Sequence, residues 1–95
     1  MRQYELMYIL HPDLEEENLE ALVNRFRDLV TNEGGEVIKL DRWGRRRLAY
    51  EINRARDGFY VVMKFKARTE TADELSRVLK ITDGVLRHII TREDQ

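Results

Sequence analysis

The chain has 95 residues, 42% of them hydrophobic, enough for one domain around one core without covalent staples. It has no cysteine, which excludes disulfides, thiolate metal sites and cysteine nucleophiles and fits a reducing cytoplasm. No apolar run approaches the roughly 18 residues of a membrane helix, and Met1-Arg2-Gln3-Tyr4-Glu5 carries no apolar leader, so a soluble intracellular domain without membrane contact is expected. Net charge is −1, but residues 36–68 carry ten basic and four acidic groups, +6 in all, against −5 for residues 1–35 and −2 for residues 69–95. An anionic partner responds to that local field, not to the total.

Residues 3–10 alternate, with Tyr4, Leu6, Tyr8 and Leu10 on one face and Glu5, Met7 and Ile9 on the other. Both faces hold apolar residues, which predicts a central strand. His11-Pro12-Asp13 breaks it. Leu19, Leu22, Val23, Phe26, Leu29 and Val30 recur at helical spacing, so a helix is expected from about Leu14 to Glu33. Glu15, Glu16 and Glu17 oppose the positive end of its dipole, and Gly34-Gly35 closes it in the left-handed conformation.

Glu36 to Leu40 reads as a second strand. It continues past an irregularity near Trp43-Gly44 into Arg47 to Ile52, where Leu48, Tyr50 and Ile52 share one face. That parity predicts burial for Tyr50; Trp43 fits core or surface equally. Asn53 to Gly58 reads as a turn with Asp57-Gly58 as its hairpin signal. The third strand, Phe59 to Ala67, turns Phe59, Val61, Met63 and Phe65 inward and Tyr60, Val62, Lys64 and Lys66 outward. Thr71-Ala72-Asp73-Glu74 fits a capping box before a helix that buries Leu75, Val78 and Leu79 and ends near Ile81. Asp83-Gly84 leads into a fourth strand, Val85 to Thr91, and residues 92–95 form a polar end.

The order β-α-β-β-α-β over residues 1–95 predicts a single α+β domain of the ferredoxin-like type. Two right-handed crossovers place both helices on one face of a four-stranded antiparallel sheet. The other face then has no helical cover and is populated by Met7, Ile9, Tyr60, Val62, Lys64, Lys66, Arg87 and Ile89.

Catalytic constellations are not found. His11 and His88 are isolated and read as surface or partly buried polar groups. Ser76 lies inside a helix without a nucleophile motif. Gly34-Gly35 closes a helix instead of opening one, so it is not a phosphate loop. Acylphosphatases share this fold, but the loop Leu10-His11-Pro12-Asp13-Leu14 has neither their glycines nor their arginine. No enzyme activity, cofactor, metal or small-molecule substrate is expected.

The positive signal is Arg45-Arg46-Arg47. Guanidinium groups match phosphates as bidentate forks and stack on rings, although a run of charge on a sheet edge also prevents aggregation. Arg42, Arg54 and Arg56 lie close in sequence, and the hairpin adds Lys64 and Lys66. Trp43, Tyr50 and Tyr60 interleave aromatic surface. These features favour a nucleic-acid-binding domain. A second reading is a ferredoxin-like protein-interaction or ligand-sensing module that uses the uncovered face, where Trp43, Tyr60, Val62, Arg87 and Ile89 form the candidate partner surface.

The segment Asp41-Arg42-Trp43-Gly44-Arg45-Arg46-Arg47-Leu48-Ala49-Tyr50-Glu51-Ile52 resembles the signature of the bacterial small-subunit ribosomal protein S6 family. Met1 to Glu5, His11-Pro12, Gly58-Phe59-Tyr60 and Asp83-Gly84-Val85-Leu86-Arg87 extend the resemblance over nearly the whole chain. It implies a structural constituent of the ribosome that pairs with ribosomal protein S18 and binds the central domain of 16S rRNA. Carried over by position, it implies RNA contacts at Arg2, Tyr4, Arg45, Arg46, Arg47 and Tyr50. Arg54 and Arg56 join them on charge and hairpin geometry. Glu51 replaces a proline common in the family and puts an acidic group inside the basic segment.

Overall fold

The computed structural model describes residues 1–93. Strand β1 (Arg2–Leu10), helix α1 (Glu16–Asn32), strands β2 (Glu36–Ile52) and β3 (Ala55–Ala67), helix α2 (Thr69–Ile81) and strand β4 (Val85–Arg92) follow the expected order. The sheet runs β2-β3-β1-β4 with every neighbouring pair antiparallel, so β1 is central and β2 and β4 are the edges. Arg92 pairs with Tyr4 and belongs to β4, not to a polar end. Asp94 and Gln95 lie outside the described residues.

Strand alternation decides which side chains meet the helices. Tyr4, Leu6, Tyr8 and Leu10 of β1 join Val61, Met63, Phe65 and Ala67 of β3 in one buried cluster. Val23, Phe26 and Val30 of α1 and Ala72, Leu75, Val78 and Leu79 of α2 close it from above. Tyr8 meets Phe26 edge-on with ring centroids 5.2 Å apart, and Tyr4 stacks on Phe65 at 5.4 Å. Each such side chain contributes about 1.5–3 kcal/mol on leaving water. Gly34, with φ of 86°, ends α1 as expected, and the Gly35 N–H bonds to the Val30 carbonyl at 2.9 Å.

Three local expectations are corrected. The β2–β3 turn is Asn53-Arg54, with φ of 48° and 66° and Ile52 paired to Ala55. Two consecutive left-handed residues make the hairpin turn whose twist suits the flanking strands. Asp57 and Gly58 instead lie inside β3, opposite Arg47 and Arg46. Helix α2 begins at Thr69, with Arg68 at its N-cap and no side-chain cap. Thr71 is fully buried, and its hydroxyl donates to Glu33 Oε1 at 3.2 Å. It therefore ties the two helices together and caps nothing. Helix α1 starts at Glu16; Leu14 is still in the turn, its N–H on the His11 carbonyl.

The sheet face without helices is not bare. The distal part of the β2–β3 hairpin leans over it, and Ile9, Leu48 and Ala55 form a second small core with Ile52, Tyr60 and Leu86 packed around them. Gly58 permits the approach: a Cβ there would lie 2.3 Å from Ile9 Cγ2 and 3.3 Å from the Leu10 carbonyl oxygen.

Candidate nucleic-acid interface

The basic segment is organised by an irregularity in β2. Pairing with β3 shifts between Arg42 and Gly44, and Gly44 has φ of 84°. Such a bulge inserts a residue and re-aims the side chains beyond it. Residues 43 and 46 would face opposite sides of a regular strand. Here both lie over the helix-free face: Trp43 stacks on Tyr60 at 6.4 Å with rings 8° apart, and the Arg46 guanidinium lies 5.1 Å above the Trp43 ring. Cation–π contact of this kind is worth about 0.5–1 kcal/mol at an exposed site.

On the helix side, Arg42 Nη2 donates to Glu20 Oε2 of α1 at 2.7 Å. Arg45 Nη2 donates to the Pro12 carbonyl at 2.8 Å, and its Nη1 lies 3.6 Å from Asp57 Oδ2. Arg45 thus joins the hairpin to the loop after β1. Arg45, Arg46, Arg47, Arg56 and Asp57 together line a shallow hollow of about 390 Å³. Four cations surround one carboxylate in this hollow.

The structure brings only some of the expected RNA residues together. Arg54 is exposed at the hairpin tip, near Arg47 and Arg56 in the same ribbon. Arg2 is exposed but pairs with Ala67, whereas the arginine cluster flanks the other end of the sheet, where Leu10 pairs with Phe59. Across a nine-residue strand that separation is roughly 27 Å. Tyr4 is 6% exposed and packed on Phe65 beneath the helices, its hydroxyl 3.4 Å from Thr69 Oγ1. It supports the fold and does not share the basic surface. Tyr50 is 59% exposed, against the burial its parity implied. The hairpin overhangs the sheet, so Leu48 finds deep cover while Tyr50 stays at its outer rim, where Arg87 hydrogen-bonds its hydroxyl. Trp43 is resolved as surface, at 47% exposed.

The candidate partner surface is contiguous. Tyr60 and Arg87 share a shallow depression with Met7, Ile9, Leu48, Tyr50 and Ile89. Val62, paired with Met7, is buried at 8%, and Ile89 is 41% exposed.

Several participants were not singled out from the sequence. Asp57 and the Pro12 carbonyl anchor Arg45; Glu20 holds Arg42. The signal for Asp57 was present, as an acidic residue inside a basic run. Ser76 and His88, read as isolated, meet at 3.1 Å between α2 and β4. Burial, then the charge of Lys80, lowers the His88 pKa from its ordinary value. Burial pushes the Tyr8 phenol well up, a trend Arg42 opposes and Glu20 reinforces. Among the described residues no group of three His, Asp or Glu side chains could hold a metal.

Fold and surface together define a small ferredoxin-like domain with an arginine-rich hairpin beside a partly open sheet face. The family model for ribosomal protein S6 matches residues 3–92. The chain is 59% identical over 95 residues to the small ribosomal subunit protein bS6 of Carboxydothermus hydrogenoformans, covering 100% of this chain and 99% of that one. It is 57% identical over 94 residues to bS6 of Desulforudis audaxviator, covering 99% and 100%. The crystal structure of 30S ribosomal protein S6 from Thermotoga maritima superposes with a TM-score of 0.92 at 32% identity, over 97% of this chain and 87% of that one. The chain belongs to the ribosomal protein S6 family.

Proposed function

We propose that this protein is a structural constituent of the small ribosomal subunit in the cytoplasm, where it binds the central domain of 16S rRNA together with ribosomal protein S18. The observation that carries the RNA contact is the arginine hollow at the root of the β2–β3 hairpin, where Arg45, Arg46, Arg47 and Arg56 converge around Asp57. Phosphate contacts of this kind position a protein on its RNA without reading sequence. Arg54 extends the charge to the tip. Arg2, at the far end of β1, lies apart from this hollow and would meet a separate stretch of backbone. The role is one of binding, with no chemical step.

The partner protein is assigned to the helix-free face. Trp43, Tyr60, Arg87 and Ile89 supply aromatic and apolar area with a cation at its edge, the composition of an interface centre, while the buried Val62 only supports it from beneath. This adjoins the arginine hollow through Arg46, so RNA and protein would meet at one corner of the molecule.

Binding of the purified protein, with ribosomal protein S18, to a central-domain RNA fragment at several salt concentrations tests the assignment. Binding that weakens steeply with salt and falls further in Arg46→Ala plus Arg47→Ala is expected. Absence of binding at low salt overturns the RNA assignment. Complex formation with S18 that is indifferent to Tyr60→Ala and Ile89→Asp removes the sheet face as its site.

A further inference from the structure

The three consecutive arginines occupy three different environments. Arg45 is engaged at both ends of its guanidinium, by the Pro12 carbonyl at 2.8 Å and by Asp57 at 3.6 Å. The Arg46 guanidinium lies over the Trp43 ring, 5.1 Å from its centroid. Arg47 and Arg56 are exposed and have no ion pair or side-chain hydrogen bond among the described residues, yet both line the same hollow. Asp57, the one carboxylate in that hollow, is already engaged by Arg45.

Two uncompensated guanidinium groups facing one concavity repel each other. Among the described residues no carboxylate pairs with either of them, and the one in the hollow is engaged by Arg45. A polyanion offsets the repulsion, since each phosphate that an arginine neutralises releases condensed counterions. A guanidinium with a free N–H fork also suits the paired oxygens of a phosphodiester.

From this geometry we infer a division of labour: Arg47 and Arg56 form the clamp on the phosphodiester backbone, and Arg45 is a positioning strut. Arg45 locks the hairpin to the loop after β1 and removes the repulsion of Asp57 from the clamp. It does this without donating to the ligand. The inference rests on the RNA-binding reading and narrows it to two residues.

The test uses the protein with ribosomal protein S18 and a central-domain RNA fragment, titrated from low to high chloride. Arg47→Gln and Arg56→Gln are each expected to reduce the slope of log affinity against log salt by about one unit. Arg47→Lys keeps the slope, because the charge remains, but binds more weakly, because the fork is gone. Arg45→Gln keeps the wild-type slope and instead speeds amide exchange across residues 45–57. Replacing chloride by inorganic phosphate at constant ionic strength leaves wild-type binding unchanged.

An Arg45→Gln slope that drops as far as those of the clamp variants overturns the division. So does an unchanged slope in Arg47→Gln and Arg56→Gln. Selective displacement by inorganic phosphate would make the hollow a free-phosphate site and overturn it too. Failure of the wild type to bind at low salt is a different result, and sinks the RNA reading itself.

Discussion

The Tyr50 hydroxyl accepts a hydrogen bond from Arg87 Nη1, although Tyr50 and Arg87 belong to the two opposite edge strands of the sheet. In a flat sheet two intervening strands would separate them. The contact exists because the hairpin bends across the helix-free face and buries Leu48 against Ile9 on the way. Tyr50 therefore fastens the outer end of a ribbon whose root carries the arginine hollow.

Tyr50→Phe keeps the ring and removes this bond. The free energy of local hairpin opening should fall by about 0.5–1.5 kcal/mol. Global stability should hardly change, because the residue is largely exposed. Hydrogen exchange resolves the two: amides of residues 46–56 speed up while those of β1 and α1 stay as slow as in the wild type. Uniform acceleration would show that the contact is not local.

Gly58→Ala is expected to destabilise the protein by about 1–3 kcal/mol through overpacking. The added Cβ meets Ile9 Cγ2 at 2.3 Å and the Leu10 carbonyl oxygen at 3.3 Å. Ile9→Ala removes the first of these obstacles. The double variant should then lose less stability than the two single losses added, a coupling read from denaturant midpoints in a double-mutant cycle. Strict additivity would place the cost of the alanine elsewhere.

Tyr8 is 1% exposed, and its hydroxyl has no hydrogen-bond partner among the described residues. Such a group carries a desolvation cost that phenylalanine does not. Tyr8→Phe should be neutral or stabilising by up to about 1 kcal/mol at neutral pH. The folded-state pKa is raised above the unfolded value of 10.0. The neutral phenol is thus favoured by the fold; its stability contribution is complete below that value and is lost as pH rises beyond it. Urea unfolding above pH 10 should therefore destabilise the wild type more than Tyr8→Phe.

His88 has the opposite sign. Its pKa is lowered from 6.5, first by burial and then by Lys80. The unfolded chain takes up the proton more readily, so the contribution is present above pH 6.5 and is lost as pH falls below it. His88→Gln can still hydrogen-bond Ser76 and has no proton to gain. Thermal melts between pH 7 and pH 5 should show a smaller decline for this variant than for the wild type. Parallel declines would assign the acid sensitivity to carboxylates alone.

Periodicity was sufficient for much of this molecule. Alternation in residues 3–10 and 59–67 and the helical stripe from Leu19 to Val30 each state which side chains face inward, because a strand has period two and a helix 3.6 whatever surrounds them. Element order and the helix-covered face follow from that. The basic middle third and the family signature from Asp41 to Ile52 are properties of the string itself.

What only the tertiary structure decided begins where β2 stops being regular. The bulge at Gly44 puts Trp43 and Arg46 on one side, which no parity rule anticipates. The hairpin turns at Asn53-Arg54, and Gly58 lies further along inside β3, where a Cβ would meet the Ile9 side chain. Tyr50 shares parity with Leu48 and still remains largely in water, at the outer rim of the overhanging ribbon, where its hydroxyl meets Arg87. The triplet Arg45-Arg46-Arg47 is uniform as sequence. Its members differ because Pro12, Asp57 and Trp43 reach two of them and leave Arg47 open to solvent, and those contacts are set by packing between segments that local periodicity cannot relate.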